Sequence, residues 1–175
     1  MVMNRSVSLA LAAFLVVLSA CAPVNRINPL SMAVARSLLI SDVVVNTDAA
    51  AFENELARDY SSQLAGDLDV DLTNAFSDRI HPSGMIMRVE ISRLNVANSG
   101  TNAFGRDQSA LQGTVQIVNP ADSSVMANYS IDVRVGQASE TRLGAVLSTA
   151  VQSSQNFYRR LVAQFVRDTK TRVLE

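Results

Sequence analysis

From Val125 to Val135 the chain alternates, and this run restricts the fold more than any other segment. Val125, Ala127, Tyr129, Ile131, Val133 and Val135 fall on one side of an extended backbone. Asn128, Ser130, Asp132 and Arg134 fall on the other, with Met126 the exception. Side chains two apart share a face of a strand, so the pattern predicts a strand with one face buried and one wet. Such a strand needs partners along its edges and a second layer over its apolar side. Asn119-Pro120-Ala121-Asp122 suits a turn with proline at its second position, leading back to a strand over about 111–118. A strand over about 85–96 sets Met85, Met87, Val89 and Ile91 against Arg88, Glu90 and Ser92. Leu94 and Val96 then change phase, as a bulge or strong twist allows. Ile40, Val43, Val44 and Val45 place a first strand over about 36–46.

Two helices complete the set. Asn46-Thr47-Asp48 supplies capping side chains, and Phe52, Leu56, Tyr60, Leu64, Leu68, Leu72 and Phe76 recur every four residues. This predicts one long helix over 48–80. A break near Gly66 is the alternative, since glycine costs about 1 kcal/mol against alanine inside a helix. A second helix is predicted over about 140–173, with Leu143, Leu147, Val151, Ser154, Phe157, Leu161, Phe165 and Val173 as its stripe. Arg167, Lys170 and Arg172 stand in its last turns, where positive charge suits the helix dipole. Residues 48–80 hold eight acids and two bases, and 140–175 hold six bases and three acids, so the helices are expected to attract each other. The order β-α-β-β-β-α predicts an α+β fold. It is a two-layer sandwich, a four-stranded antiparallel-rich sheet with two long helices on one face. Arg88, Glu90, Asn128, Asp132 and Arg134 are expected to be exposed on the other face.

Residues 1–20 read as an export signal rather than as part of this domain. Arg5 is followed by Leu9, Leu11, Phe14, Leu15, Val16, Val17 and Leu18, an apolar run shorter than a membrane span. The run ends in Leu18-Ser19-Ala20-Cys21, which resembles the lipobox of bacterial lipoproteins: an aliphatic residue, two small residues, then cysteine. The resemblance implies cleavage before Cys21, diacylglycerol on its thiol and usually an amide-linked third acyl chain. Two or more acyl chains hold a protein on a membrane stably, where one alone is marginal. Ala22, rather than aspartate, follows the cysteine, which by the same resemblance favours the periplasmic face of the outer membrane. Residues 21–35, with Pro23 and Pro29, read as a lipidated tether, and 36–175 as a single periplasmic domain.

The mature region displays no signature of catalysis. His81 is the one histidine and stands in the turn His81-Pro82-Ser83-Gly84, and Cys21 is the one cysteine. That disfavours a histidine-based nucleophile and a zinc site. Asp67, Asp69 and Asp71, with Asp78 at the twelfth place, echo a calcium loop. The echo fails at Leu72, where glycine is required, and at Asp78, where glutamate is usual. No cofactor and no metal are expected. A net charge of −1 argues against a nucleic-acid partner. The loop over about 97–110 holds Gly100, Phe104 and Gly105, and Phe104 is the candidate anchor for a protein partner. Lipobox, short tether and small α/β domain together resemble auxiliary envelope lipoproteins, those of lipopolysaccharide assembly and of ABC-type lipid transporters. The expected function is a lipid-anchored, non-enzymatic binding or assembly module. The alternatives are a lipid-anchored hydrolase with dispersed catalysts, or a carrier of an apolar ligand.

Overall fold

The structure, a computed structural model, describes residues 29–97, 108–135 and 154–175. Cys21 with the export segment, Phe104 with its loop, and residues 140–153 of the expected last helix lie outside the described residues. In chain order the elements are α1 (Met32–Ser37), β1 (Ile40–Asn46), β2 (Ala51–Phe52), α2 (Glu55–Asp59), α3 (Leu64–Ala75), a 3-10 turn (Ser77–Arg79), β3 (Met85–Asn95), β4 (Ser109–Val118), β5 (Val125–Val135) and α4 (Ser154–Leu174).

The fold is α+β, with helices packed on an open mixed sheet of order β1-β3-β4-β5 and β2 added on β3. β3, β4 and β5 form the antiparallel meander that alternation and turn chemistry predict. β1 and β2 run parallel to β3. A parallel neighbour needs a long crossover, and the segment between β1 and β3 is one, carrying α2 and α3. In β5 the odd positions from Ala127 to Val135 are buried, while Val125 at its start is 48% exposed. The phase change in β3 is a bulge. Ile91 pairs with Gly113 and Arg93 with Gln112, so Ser92 is the extra residue and Leu94 returns to the interior.

The predicted single helix over 48–80 does not form. Its first part is the short strand β2, fixed where the Glu53 N–H donates to the Leu94 carbonyl at 3.0 Å. Arg93 grips Glu53 with two contacts, Nε–Oε1 at 2.6 Å and Nη2–Oε2 at 2.7 Å. Asn54 then caps α2, accepting from the Ala57 N–H, while its amide donates to Asn95 Oδ1 and the Val96 carbonyl. The break comes at the turn over 60–63, ahead of Gly66, which lies inside α3 with open space around it. Pairing with β3 has outweighed helix periodicity. The second half of the predicted stripe holds: Leu64, Leu68, Leu72 and Phe76 are fully buried.

The first strand likewise begins at Ile40 rather than near 36, because residues 32–37 coil into α1. The segment makes a strap across one end of the molecule. The Leu30 N–H donates to the Tyr129 hydroxyl at 2.9 Å, and Arg79 Nη1 donates to the Arg36 carbonyl at 2.7 Å. Arg79 thus satisfies carbonyls that the C-terminus of α1 leaves open.

α3 and α4 cover one sheet face and touch each other. Their inward side chains, Leu68, Phe157, Leu161 and Phe165 among them, meet Met87, Val89, Val115, Tyr129 and Ile131. Both helices run toward the strap end, where Lys170 Nζ donates to the Ala75 carbonyl at 2.6 Å and so caps α3. The acceptor of this bond is a backbone carbonyl rather than an acid of α3. On the opposite sheet face Glu90, Asp132 and Arg134 are exposed, and Arg88 and Asn128 are half-buried. Arg134 hydrogen-bonds Asp132 there and holds its carboxyl below the usual range.

Candidate functional site

At the end away from the strap, the first halves of α3 and α4 border a groove of about 510 Å³. Gln63 at the N-cap of α3, with Asp67, Val70 and Asp71, forms one wall, and Gln155, Tyr158, Arg159 and Val162 of α4 form the other. The buried stripe Leu64-Leu68-Leu72 orients α3, so Asp67 and Asp71, one turn apart, share the face beside it. Val70 is 58% exposed at the rim.

Tyr158 is the centre of the site. Its ring lies flat on Tyr60, with centroids 4.1 Å apart and planes 8° from parallel. Its hydroxyl donates to Asp67 Oδ2 at 2.6 Å. A buried tyrosine keeps its apolar body in the core and needs a partner for its polar tip, and Asp67 is that partner. Burial first, then the bond to Asp67 and the nearby negative charges, raise the Tyr158 hydroxyl well above the ordinary tyrosine value. It therefore stays protonated and acts as a donor. The groove offers fixed acceptors on Asp67, charges of both signs on Asp71 and Arg159, amides on Gln63 and Gln155, and a small apolar rim. This arrangement suits recognition of a polar surface with an apolar point of contact.

Tyr158→Phe is expected to cost about 1–3 kcal/mol of stability, because Asp67 loses its donor. Its signature lies at alkaline pH. An unfolded tyrosine ionises near about pH 10, whereas folded Tyr158 keeps its proton beyond that. The stabilisation is therefore complete below about pH 10 and falls as pH rises above it. Tyr129, also raised by burial, contributes equally to both proteins. Melting curves from about pH 8 to 11 should show a shallower alkaline decline in Tyr158→Phe. Equal slopes would exclude Tyr158 as a source of the decline.

Of the residues singled out in the sequence, Asp67 and Asp71 line the groove and the others among the described residues do not. Cys21 and Phe104 lie outside the described residues. His81 stands in an exposed turn at the strap end, with Nδ1 2.8 Å from Ser83 Oγ. Asp67, Asp69 and Asp71 are on α3 rather than in a loop, so Asp69 points away from the other two. Asp78 pairs instead with Arg79 Nε at 3.5 Å. Among the described residues no three acid, histidine or cysteine side chains stand together as metal ligands would. Among them too, no helix is long and apolar enough to cross a membrane. Tyr158 is not among the candidates that the sequence offers, although it adjoins Phe157 in the apolar stripe. The available signal was a tyrosine beside that stripe, facing a helix rich in acids.

No family model matches the chain, and no curated protein does. Similar solved structures include a candidate lipoprotein of Caulobacter crescentus, at 14% identity and a TM-score of 0.40, covering 82% of this chain and 92% of that one. A Xanthomonas campestris protein of the DUF330 family matches at 12% identity and a TM-score of 0.41, covering 78% and 83%. A PelC dodecamer from Paraburkholderia phytofirmans matches at 13% identity and a TM-score of 0.37, covering 70% and 89%. These likenesses assign no role to any residue of this chain.

Proposed function

We propose that the chain is a lipid-anchored, non-enzymatic binding module of the bacterial envelope. It is tethered through Cys21 on the periplasmic face of the outer membrane and presents the α3–α4 groove to a protein partner. The observation that carries this reading is the opposition of the two ends. The chain enters the domain at the strap, where Leu30 meets Tyr129, and the groove opens at the other end. A lipid on Cys21 therefore leaves the groove facing away from the bilayer. The lipobox resemblance of Leu18-Ser19-Ala20-Cys21 supports the anchor. The bond from Tyr158 to Asp67 supports recognition, since it ties the two walls of the groove together and holds the surrounding polar groups in place.

The test is photo-crosslinking in cells from a reactive side chain at Arg159, in the native chain and in Cys21→Ser. The native chain is expected to fractionate with membranes and to give a discrete protein adduct. Cys21→Ser is expected to lack acyl mass, to leave the membrane fraction and to lose most of the adduct. Unchanged fractionation and mass in Cys21→Ser would refute the anchor. Absence of an adduct from Arg159 in the anchored chain would refute the groove as the partner site.

A further inference from the structure

Among the described residues eight large apolar side chains are well exposed, and six of them gather at the strap end. Strand register defines this end. Ile40 bridges to Ile80 and pairs with Met85, Ile86 pairs with Val118, and Val118 pairs with Val125. One row thus crosses the sheet from edge to edge. Leu39 lies just beyond the row, Met126 follows Val125, and α1 brings Met32 and Val34 to the same end. These six side chains are 40–53% exposed. The other two, Val44 and Val70, lie farther up the molecule. Single exposed apolar residues need no explanation, but a cluster on one end marks an interaction surface.

We infer that this end is a membrane seat, on which the domain rests with Met32, Leu39, Ile80, Val125 and Met126 against the lipid interface. The inference rests on the anchoring reading above. Pro29 stands eight positions after Cys21. Eight residues reach at most about 29 Å when fully extended, and less in any other conformation. The point of entry is therefore held within about 29 Å of the bilayer, and the strap end, where these apolar side chains are, is the end nearer to that point. The charged side chains at this end include Arg36, Arg79, Lys170 and Arg172 against Asp78, Asp122 and Glu175, a mixture of signs with a small positive excess, so the salt arm of the test separates apolar contact from headgroup charge. The seat supplements the acyl chains, since interfacial binding grows with apolar area buried. It also fixes orientation, holding the groove toward the periplasm.

The test places an environment-sensitive fluorophore on Leu39→Cys and Met126→Cys, with Val70→Cys as the control. The native cysteine is blocked by lipid in the acylated chain, so each variant is labelled at one position. The full acylated proteins are reconstituted into vesicles of phosphatidylethanolamine and phosphatidylglycerol, after melting curves confirm that each folds. The expected result is a several-fold rise in emission at positions 39 and 126, quenched by interfacially labelled lipid and unchanged by salt, with no rise at 70. Equal signals at all three positions in protein that floats with the vesicles would overturn the seat and leave the anchor standing. A rise that salt abolishes would overturn it in favour of headgroup charge. A rise without vesicles that grows with protein concentration would overturn it in favour of a second copy. Protein that fails to float, and whose Cys21 takes the label, would overturn the anchor and the seat together.

Discussion

Phe165→Ala is expected to lower the unfolding free energy by about 3–5 kcal/mol, the range for truncating a fully buried aromatic. Phe165 is 0% exposed and sits where α4 meets the middle of the sheet. Directly beneath it is Gly113 of β4: a Cβ there would come within 3.3 Å of the Phe165 ring, 3.0 Å of Ile91 Cδ1 and 2.8 Å of the Glu90 carbonyl oxygen. The ring fills the space that the missing side chain leaves. Truncation opens a cavity that the stiff central strands cannot collapse to fill. For a domain with about 5–15 kcal/mol of stability, that loss is a large share. Phe165→Leu should cost less than half as much, since most of the volume is retained. Gly113→Ala should be destabilising even in the Phe165→Ala background, because the Glu90 carbonyl still obstructs it. Chemical denaturation of the three variants measures these values. A cost below about 1 kcal/mol for Phe165→Ala would show that the helix–sheet interface repacks freely.

Gly84→Ala is expected to cost about 3 kcal/mol, at the upper end of the range for overpacking. A Cβ at position 84 would lie 2.5 Å from the carbonyl carbon of Ile40, 2.6 Å from its nitrogen and 2.6 Å from the nitrogen of Ser41. All three are backbone atoms, so no side-chain rotation relieves the clash. The strand start must move, and with it two hydrogen bonds that lock β1 onto the turn: His81 N–H to the Ile40 carbonyl at 2.9 Å, and Met85 N–H to the Leu39 carbonyl at 2.8 Å. The damage should therefore be local in origin. Hydrogen exchange at Met85 and His81 should accelerate more than at Val115 in β4. A variant with native melting temperature and native exchange at Met85 would show that the turn has room the structure does not indicate.

What was legible in the sequence depended on whether a contact left a periodic trace. β5 could be read to the residue because one face is buried, one is wet, and a proline turn precedes it. The bulge at Ser92 was legible too, as a phase change without which Leu94 would face solvent. The segment over 48–80 misled because Phe52, Leu56, Tyr60 and Leu64 keep a four-residue spacing while the backbone passes through a strand, a short helix and a turn. Spacing reports which residues are buried, and all four are at least partly so; it does not report the path between them. Parallel pairing of β1 with β3 left no local trace, since its register is set by Gly84 against Ile40 and by the crossover helices. The groove was partly legible. Asp67 and Asp71 stand out as acids, yet the pairing of Asp67 with α4 depends on a hydrogen bond across 91 residues, from Tyr158.

The path by which the chain enters the domain also decides how it would bear a mechanical load. Tension on the N-terminal segment first meets the strap, held by the Leu30 hydrogen bond, by the grip of Arg79 on α1 and by the buried Ala35 and Leu38. These separate contacts yield one after another and give slack. The next element in line is β1, which starts at the strap end and runs away from it beside β3, in register from Ile40–Met85 to Asn46–Glu90. A pull from that end acts along the strand rather than across it, so the bonds of the ladder share the force instead of opening one at a time. The domain thus has a compliant leader in series with a stiff, shear-loaded strand, and stretching should lengthen the strap well before it disturbs the groove.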